Sequence, residues 1–165
     1  MNKWGRIIVH HSAGGFGTGP FIDALHKSRR WSGIGYHYVI LNGIVSLEDF
    51  RKSRCFDFLD GSIDTGRPLN GDEWVDRNEI GAHALGFNAD SIGVCLIHRE
   101  GPFTVKQIIS LFWVLRGLSV KFQIPPENII GHCEIDPKKP VCPGLDMNAV
   151  RAIARSYYEQ AKSPA

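Results

Sequence analysis

The segment Gly131–Gly144, which reads GHCEIDPKKPVCPG, constrains the fold of this chain more than any other stretch. Pro137, Pro140 and Pro143 are spread through it. Three prolines in so short a stretch exclude a continuous helix and a central strand, because each removes a backbone donor and fixes φ. We therefore predict a loop, and a loop held by a rigid scaffold is a common place for chemistry.

The same loop carries two side chains that bind metals, His132 and Cys142. Their separation in the chain allows a turn to bring the imidazole and the thiolate to one point, where they could supply two of the three protein ligands of a catalytic zinc. A single His and Cys pair is a weak motif, and a proline-rich turn around a buried thiol explains the same residues. A third ligand elsewhere in the chain would favour the zinc site over a purely structural turn.

A candidate third ligand lies near the start of the chain. Residues Arg6–His11 predict a short buried strand, since three apolar residues stand between polar ends. His10 and His11 are adjacent and point to opposite faces of a strand, so at most one of them faces a given cleft. Residues 129–132 repeat the pattern of a short apolar strand that ends in a histidine. If the two strands are neighbours, His10 and His132 reach the same edge of the sheet, and with a thiolate they leave an open fourth position on zinc.

The rest of the chain alternates between patterns of strands and helices. Strands are predicted at Tyr36–Leu41 and Ile44–Leu47, joined by an Asn-Gly hairpin turn, and at Ser91–His98; helices are predicted at Pro20–Arg30, from Thr104 to about Phe122, and at Met147–Gln160; residues 48–79 are predicted to be mainly irregular. The buried faces of the first two helices are predicted from apolar spacing as Phe21, Ala24 and Leu25, and as Val105, Ile108, Ile109, Phe112 and Leu115. We expect an α/β fold in a single domain over residues 1–165, with a central mixed β-sheet flanked by helices.

The composition excludes several classes of protein. The formal net charge of +2 is too small to indicate nucleic-acid binding. The longest apolar-rich stretch, Ile108–Leu115, is too short to cross a membrane, and the N-terminal apolar run Ile7–Val9 is too short for a signal peptide. Synthesis in the cytoplasm is therefore expected. None of the four cysteines forms a CxxC pair, so we expect mostly reduced thiols.

Several motifs occur in the order typical of one family: IIVHHSA, GYHYVI, GRPL, IGAHALGFN, SIGVCLI and GHCEIDPKKPVCPG. Over about residues 5–160 the sequence resembles the zinc-dependent N-acetylmuramoyl-L-alanine amidases of type 2, which share their fold with peptidoglycan recognition proteins. It is most similar to the small phage endolysins of the amidase-lysozyme type. The resemblance implies a Zn²⁺ cleft at the strand ends, and hydrolysis of the amide bond between N-acetylmuramic acid and L-alanine of peptidoglycan.

The resemblance also implies the ligands and a catalytic tyrosine. His10 occupies the first position of an H-x-S motif, and with His132 and Cys142 it completes the implied zinc ligand set. Tyr36 occupies the tyrosine position of the G-Y-H motif. It is the implied catalytic tyrosine, which orients the attacking water or binds the developing oxyanion.

Two further positions are less clearly matched. The family often has a catalytic lysine two residues before the third ligand, where this chain has Pro140. We assign the catalytic role to Lys139 rather than to Lys138. His83 stands among small residues and is expected to contact the substrate in the groove, although a structural hydrogen-bonding role is equally compatible with its surroundings.

Alternative functions remain at this point. Peptidoglycan recognition proteins often lack the cysteine ligand and only bind, whereas Cys142 is present here. Some phage amidase-lysozymes also regulate the phage RNA polymerase, a partner for which this sequence contains no test. A glycosidase needs two facing carboxylates, and no such pair is recognisable. We expect a monomeric endolysin that acts on the cell wall after release. The lack of a signal peptide also fits a recycling amidase or an exported toxin.

Overall fold

The computed structural model of the protein describes residues 2–162. Five strands and four α-helices alternate along the described chain: β1 (Arg6–His11), α1 (Gly19–Ser28), β2 (Tyr38–Asn42), α2 (Leu47–Arg51), β3 (Asp60–Thr65), β4 (Ser91–Leu96), α3 (Val105–Lys121), β5 (Ile129–Gly131) and α4 (Met147–Lys162). Single 3₁₀ turns at Pro126–Asn128 and His132–Glu134 flank β5.

The five strands form one mixed sheet in the order β3-β2-β4-β1-β5. β1 pairs in parallel with β4 and β5, and β2 pairs in parallel with β4, whereas β3 runs antiparallel to β2 at the edge. All six residues of β4 are buried, which is typical of a parallel strand covered on both faces. The predicted α/β fold with a mixed sheet is therefore confirmed.

The position of β1 between β4 and β5 brings the two predicted histidine strands together. Ile7 pairs with Ile129 and Val9 with Gly131, so β1 and β5 end at the same edge of the sheet. Since parallel strands place their carboxyl ends at one edge, His10 and His132 both emerge there. The strands β1 and β5 are therefore neighbours, an arrangement that the sequence allowed but did not require.

The long helix α3 has the predicted limits but not the predicted buried face. Thr104 caps it through a reciprocal capping box with Gln107. Val105 and Ile109 are 75% and 53% exposed, so their assignment to the core was wrong; the buried apolar residues are Leu111, Val114, Leu115 and Leu118. The cause is the buried Gln107 side chain, which donates to the carbonyls of Ile40 and Ile97 and so fixes the rotation of the helix.

The predicted hairpin after Asn42 is also wrong. The Asn42 side chain accepts a hydrogen bond from the Ile44 N–H and donates one to the Gly15 carbonyl, while Gly43 takes a positive φ of 78°. Ser46 then caps the short helix α2. The antiparallel partner of β2 is instead β3, whose polar sequence DGSIDT suits an edge strand and gives no strand signal. Within residues 2–162, no helix is both long enough and apolar enough to cross a membrane.

Candidate metal centre

Three metal-binding side chains meet at the carboxyl edge of the sheet. The ligating atoms of His10, His132 and Cys142 all lie within 4.8 Å of one another, and all three residues are buried. His10 comes from β1, His132 from the turn after β5, and Cys142 from the end of the proline-rich loop. Two imidazoles and one thiolate at this spacing fit a tetrahedral zinc with one position open.

The two imidazoles present the same ring atom to each other. His10 Nδ1 and His132 Nδ1 are 3.1 Å apart, and His132 Nε2 lies 3.8 Å from Asp136 Oδ2. The carboxylate favours a hydrogen on His132 Nε2 and leaves a lone pair on Nδ1, as is usual for metal-bound histidines. The donor set is thus arranged to accept a cation between the two Nδ1 atoms and the sulfur.

Backbone hydrogen bonds hold Cys142 in place despite the prolines around it. Lys139 N–H donates to the Asp136 carbonyl and Cys142 N–H donates to the Lys139 carbonyl, which forms two successive tight turns. Cys133 N–H donates to the Cys142 carbonyl at 2.7 Å, and His11 N–H donates to Cys142 Sγ at 3.4 Å. The loop therefore folds back against β1, and the amide at its sulfur favours the thiolate.

The three candidate ligands are held uncharged before a cation binds. Burial lowers the pKa of His10 well below its usual value and also lowers the pKa of His132. Burial raises the pKa of Cys142, so the thiol keeps its proton until a metal displaces it. The ammonium group of Lys139 lowers the pKa of all three ligands, so its charge lies close to the centre.

Tyr36 lies beside the metal ligands, just before β2 rather than at its start as predicted. Its ring centroid is 5.2 Å from that of His10. Its hydroxyl interacts with the buried thiol of Cys95, a residue that the sequence indicated only as a small core hydrophobe. Burial and the nearby thiols of Cys95 and Cys142 raise the pKa of Tyr36 well above its usual value. The tyrosine is therefore a protonated hydrogen-bond donor at neutral pH.

His10, His132 and Cys142, the candidate metal ligands, form one end of a cleft of about 700 Å³. Its cationic side chains are Arg29, Lys138 and Lys139, and among the described residues that line it none is an aspartate or a glutamate. Helix α1 forms the facing wall. The charge of the lining favours a substrate with carboxylates.

The orientation predicted for α1 was wrong, because the face assigned to the core lines the cleft instead. Phe21 and Leu25, assigned to the core by their spacing, are 42% and 40% exposed and line the cleft. Ile22 and His26 are buried instead, and His26 Nδ1 accepts a hydrogen bond from the Gly35 N–H. Exposed apolar residues beside a polar centre are typical of a ligand-binding wall. An apolar spacing pattern alone cannot distinguish such a wall from a core face.

The family of the chain follows from comparison with known proteins. A family model described as N-acetylmuramoyl-L-alanine amidase (Amidase_2) matches residues 1–145. The chain belongs to this amidase family. Endolysins of Escherichia phage T7 and Enterobacteria phage K11 are 30% identical over 127 residues and 29% identical over 129 residues, covering 74% of this chain. The match spans 66% of the length of each endolysin. The predicted membership of the type-2 amidase superfamily is confirmed.

Solved structures of amidases and of peptidoglycan recognition proteins share the fold. The N-acetylmuramoyl-L-alanine amidase LysC from Clostridium intestinale URNW superposes with a TM-score of 0.68 at 29% identity, covering 90% of this chain and 83% of LysC. Drosophila PGRP-LB superposes with a TM-score of 0.63 at 22% identity, and the match covers 99% of this chain and 83% of the PGRP-LB chain. In this amidase-family domain, all six predicted site residues line the cleft: His10, Tyr36, His83, His132, Lys139 and Cys142. Their individual roles stay predictions.

The histidine of the G-Y-H motif, His37, is buried, and its contacts indicate how the fold responds to acid. Its Nε2–H donates to the Glu79 carbonyl at 2.9 Å, and its Nδ1 accepts from the Gly93 N–H at 2.9 Å. Both ring atoms are satisfied only in the neutral form. Burial lowers the pKa of His37 to about 4 from an ordinary value near 6.5.

We expect acid to destabilise the metal-free protein through this residue. Because the folded pKa is the lower one, the stabilisation is complete above pH 6.5 and is lost as pH falls through 4. The slope is about 1.4 kcal/mol per pH unit for each such histidine, or about 3 kcal/mol in all for His37. Urea unfolding between pH 7.5 and 4 measures it. The variant His37→Gln keeps an amide donor without a titrating group and should show a shallower slope; an unchanged slope would exclude His37 as a source.

Proposed function

We propose that this protein is a zinc-dependent amidase that hydrolyses the bond between N-acetylmuramic acid and L-alanine in bacterial peptidoglycan. We propose further that it serves as a phage or prophage endolysin, is monomeric, and reaches the cell wall after release from the cytoplasm. The observation that carries the proposal is the buried cluster of His10, His132 and Cys142 at the end of an open cleft. The endolysin relatives support the biological role.

The donor set supports zinc as the metal. A thiolate with two imidazoles suits zinc better than magnesium or calcium, which prefer oxygen ligands. The cluster offers three protein ligands and lines the cleft, and three protein ligands are typical of catalytic rather than structural zinc sites. A bound zinc supplies a Lewis acid for the substrate carbonyl and lowers the pKa of an attacking water toward neutrality. The Cys142 thiolate offsets one of the two charges of the metal.

Two side chains of the cleft have the chemistry to assist the reaction. Tyr36 holds a proton on its hydroxyl and can donate a hydrogen bond to the attacking water or to the oxyanion that develops on the carbonyl. Lys139 carries its positive charge close to the ligands, where it stabilises the same oxyanion and can protonate the leaving amine.

The remaining lining fits a muramyl peptide. Such a substrate combines a sugar, small apolar groups and free carboxylates. The exposed Phe21, Leu25 and Trp31 offer apolar and aromatic contacts, and Arg29 offers a cation for a carboxylate. His83 also lines the cleft, where the sequence predicts a contact with the substrate.

A pair of adjacent lysines provides a matched test of the proposed catalytic lysine. Lys139→Met should lower kcat/KM on a muramyl peptide by about tenfold to a hundredfold, because one charge that stabilises the transition state is lost. Lys138→Met removes a charge that lines the cleft but does not shift the pKa of the ligands, so it should lower kcat/KM less than Lys139→Met does, mainly by raising KM. Zinc content should equal that of the parent in both variants. Equal losses in the two variants would contradict the assignment to Lys139.

Purified peptidoglycan, treated with and without a chelator, tests the function itself. The expected products are new lactyl carboxylates on muramic acid and new amino termini on L-alanine. Both should disappear on chelation and return when zinc is added. New reducing sugar ends would identify a glycosidase and overturn the site. Zinc bound to a chain that releases no product would instead indicate a protein that only binds peptidoglycan or regulates a partner.

A further inference from the structure

The His83 side chain is engaged on both ring nitrogens. It is 7% exposed, its Nδ1 lies 3.0 Å from His10 Nε2, and its Nε2 lies 3.3 Å from the Ser91 carbonyl oxygen. His83 therefore stands between a metal ligand and the backbone of the central strand β4. Its position suggests a role other than contact with the substrate.

The carbonyl of Ser91 fixes which ring nitrogens of His83 and His10 carry a hydrogen. A carbonyl oxygen can only accept, so the His83 Nε2 that faces Ser91 carries the hydrogen and His83 Nδ1 has a lone pair. That lone pair accepts the hydrogen of His10 Nε2, which leaves His10 Nδ1 without one. His10 Nδ1 is the atom that faces His132 Nδ1 across 3.1 Å. The Ser91 carbonyl thus determines which nitrogen of His10 is free to bind a metal.

The surrounding backbone is shaped to hold the His83 ring. A Cβ at Gly93 would lie 2.6 Å from the ring atoms Cγ and Cδ2, and a Cβ at Gly81 would lie 2.8 Å from Cδ2. Asn88 Oδ1 accepts hydrogen bonds from the N–H groups of His83 and Ala84, both at 2.9 Å. The ring is therefore packed tightly between Gly81 and Gly93, and Asn88 holds the backbone of His83 in place.

We propose that His83 is a positioning residue that holds the His10 ring in the tautomer and orientation in which Nδ1 binds the metal. This inference deepens the proposed function and rests on its metal centre. Partners that fix the other nitrogen of a metal-bound histidine typically change metal affinity by about tenfold to a hundredfold. The role predicts an effect on the metal itself, before any substrate is present.

Metal binding by two variants tests the proposal. His83→Ala removes the acceptor for His10 and should weaken zinc affinity, measured by competition with a chromophoric chelator, by about tenfold to a hundredfold. It should also change the absorption spectrum of the cobalt-substituted protein. His83→Asn places an amide oxygen near the original Nδ1 position and should restore most of the affinity and the parent spectrum. Parent-like affinity and spectrum in His83→Ala, with only a raised KM, would overturn the proposal in favour of substrate contact.

A measurement on the parent protein does not depend on how the variants fold. Nitrogen-15 NMR of the chelated protein should show hydrogens on Nε2 of both His10 and His83; a hydrogen on His10 Nδ1 would overturn the proposal. The two proposals also fail separately. Parent protein that binds zinc but releases no muramyl product contradicts the amidase function alone. Active parent protein whose zinc affinity is unchanged by His83→Ala contradicts the positioning role alone.

Discussion

Replacing Cys142 by alanine should remove the metal and the activity together. The thiolate is the only anionic member of the ligand cluster His10, His132 and Cys142, so without it two neutral imidazoles must hold a doubly charged ion. Binding free energies of about 10–16 kcal/mol for four-ligand zinc sites correspond to about 3–4 kcal/mol per ligand, or an affinity loss of about 10²–10³. At micromolar protein the zinc content and the turnover of a muramyl peptide should both fall toward background.

The chain offers a matched control for this change in a neighbouring thiol. Cys133 is half-buried beside the same loop, and its backbone N–H bonds to the Cys142 carbonyl, but its side chain is outside the ligand cluster. Cys133→Ala should therefore keep zinc and activity. Full zinc content in Cys142→Ala, measured by atomic spectroscopy after gel filtration, would remove Cys142 from the ligand set. Equal loss in both variants would point to a folding effect of the loop.

Replacing Tyr36 by phenylalanine should separate metal binding from catalysis. The ring would still pack against His10, while the hydroxyl beside the Cys95 thiol would be absent. Loss of one donor to a developing oxyanion costs about 10²–10³ in kcat. Zinc content should stay at the parent level and KM should change little, because the donor acts mainly in the transition state.

Tyr38 provides the control for this tyrosine. It is half-buried two residues away, on β2, and lines a separate shallow groove against α3. Tyr38→Phe should leave kcat within about threefold of the parent, since its hydroxyl is remote from the ligands. An unchanged kcat in Tyr36→Phe would make Tyr36 a packing residue. A loss of zinc in the same variant would assign it to the support of His10 instead.

Local sequence patterns predicted the elements that depend on local chemistry. The apolar runs of β1 and β4 were readable because strands buried on both faces lose the alternation of polar residues. Thr104 and Asp146 marked the starts of α3 and α4 because caps satisfy the free N–H groups of a first turn. The two histidines at strand ends were recognisable as candidates for the same reason: each follows a short apolar run.

The features that depend on distant partners could not be predicted in this way. The rotation of α3 follows from bonds between Gln107 and two carbonyls of other strands, and that of α1 from the burial of His26 under Gly35. The edge strand β3 has no apolar pattern. The choice of Lys139 over Lys138 stays a prediction, because both side chains line the cleft. Strand order, which makes His10 and His132 neighbours, is likewise a property of the whole sheet.

The ligands of the cluster are separated by most of the chain, since His10 and His132 lie 122 positions apart. An ion bound between them would cross-link the first strand to the turn after β5 and close a loop of chain that contains strands β2 to β5. A growing polypeptide on the ribosome has no metal centre until Cys142 has emerged and docked against His11. The proposed ligand set therefore predicts that a product cut short before that loop is inert.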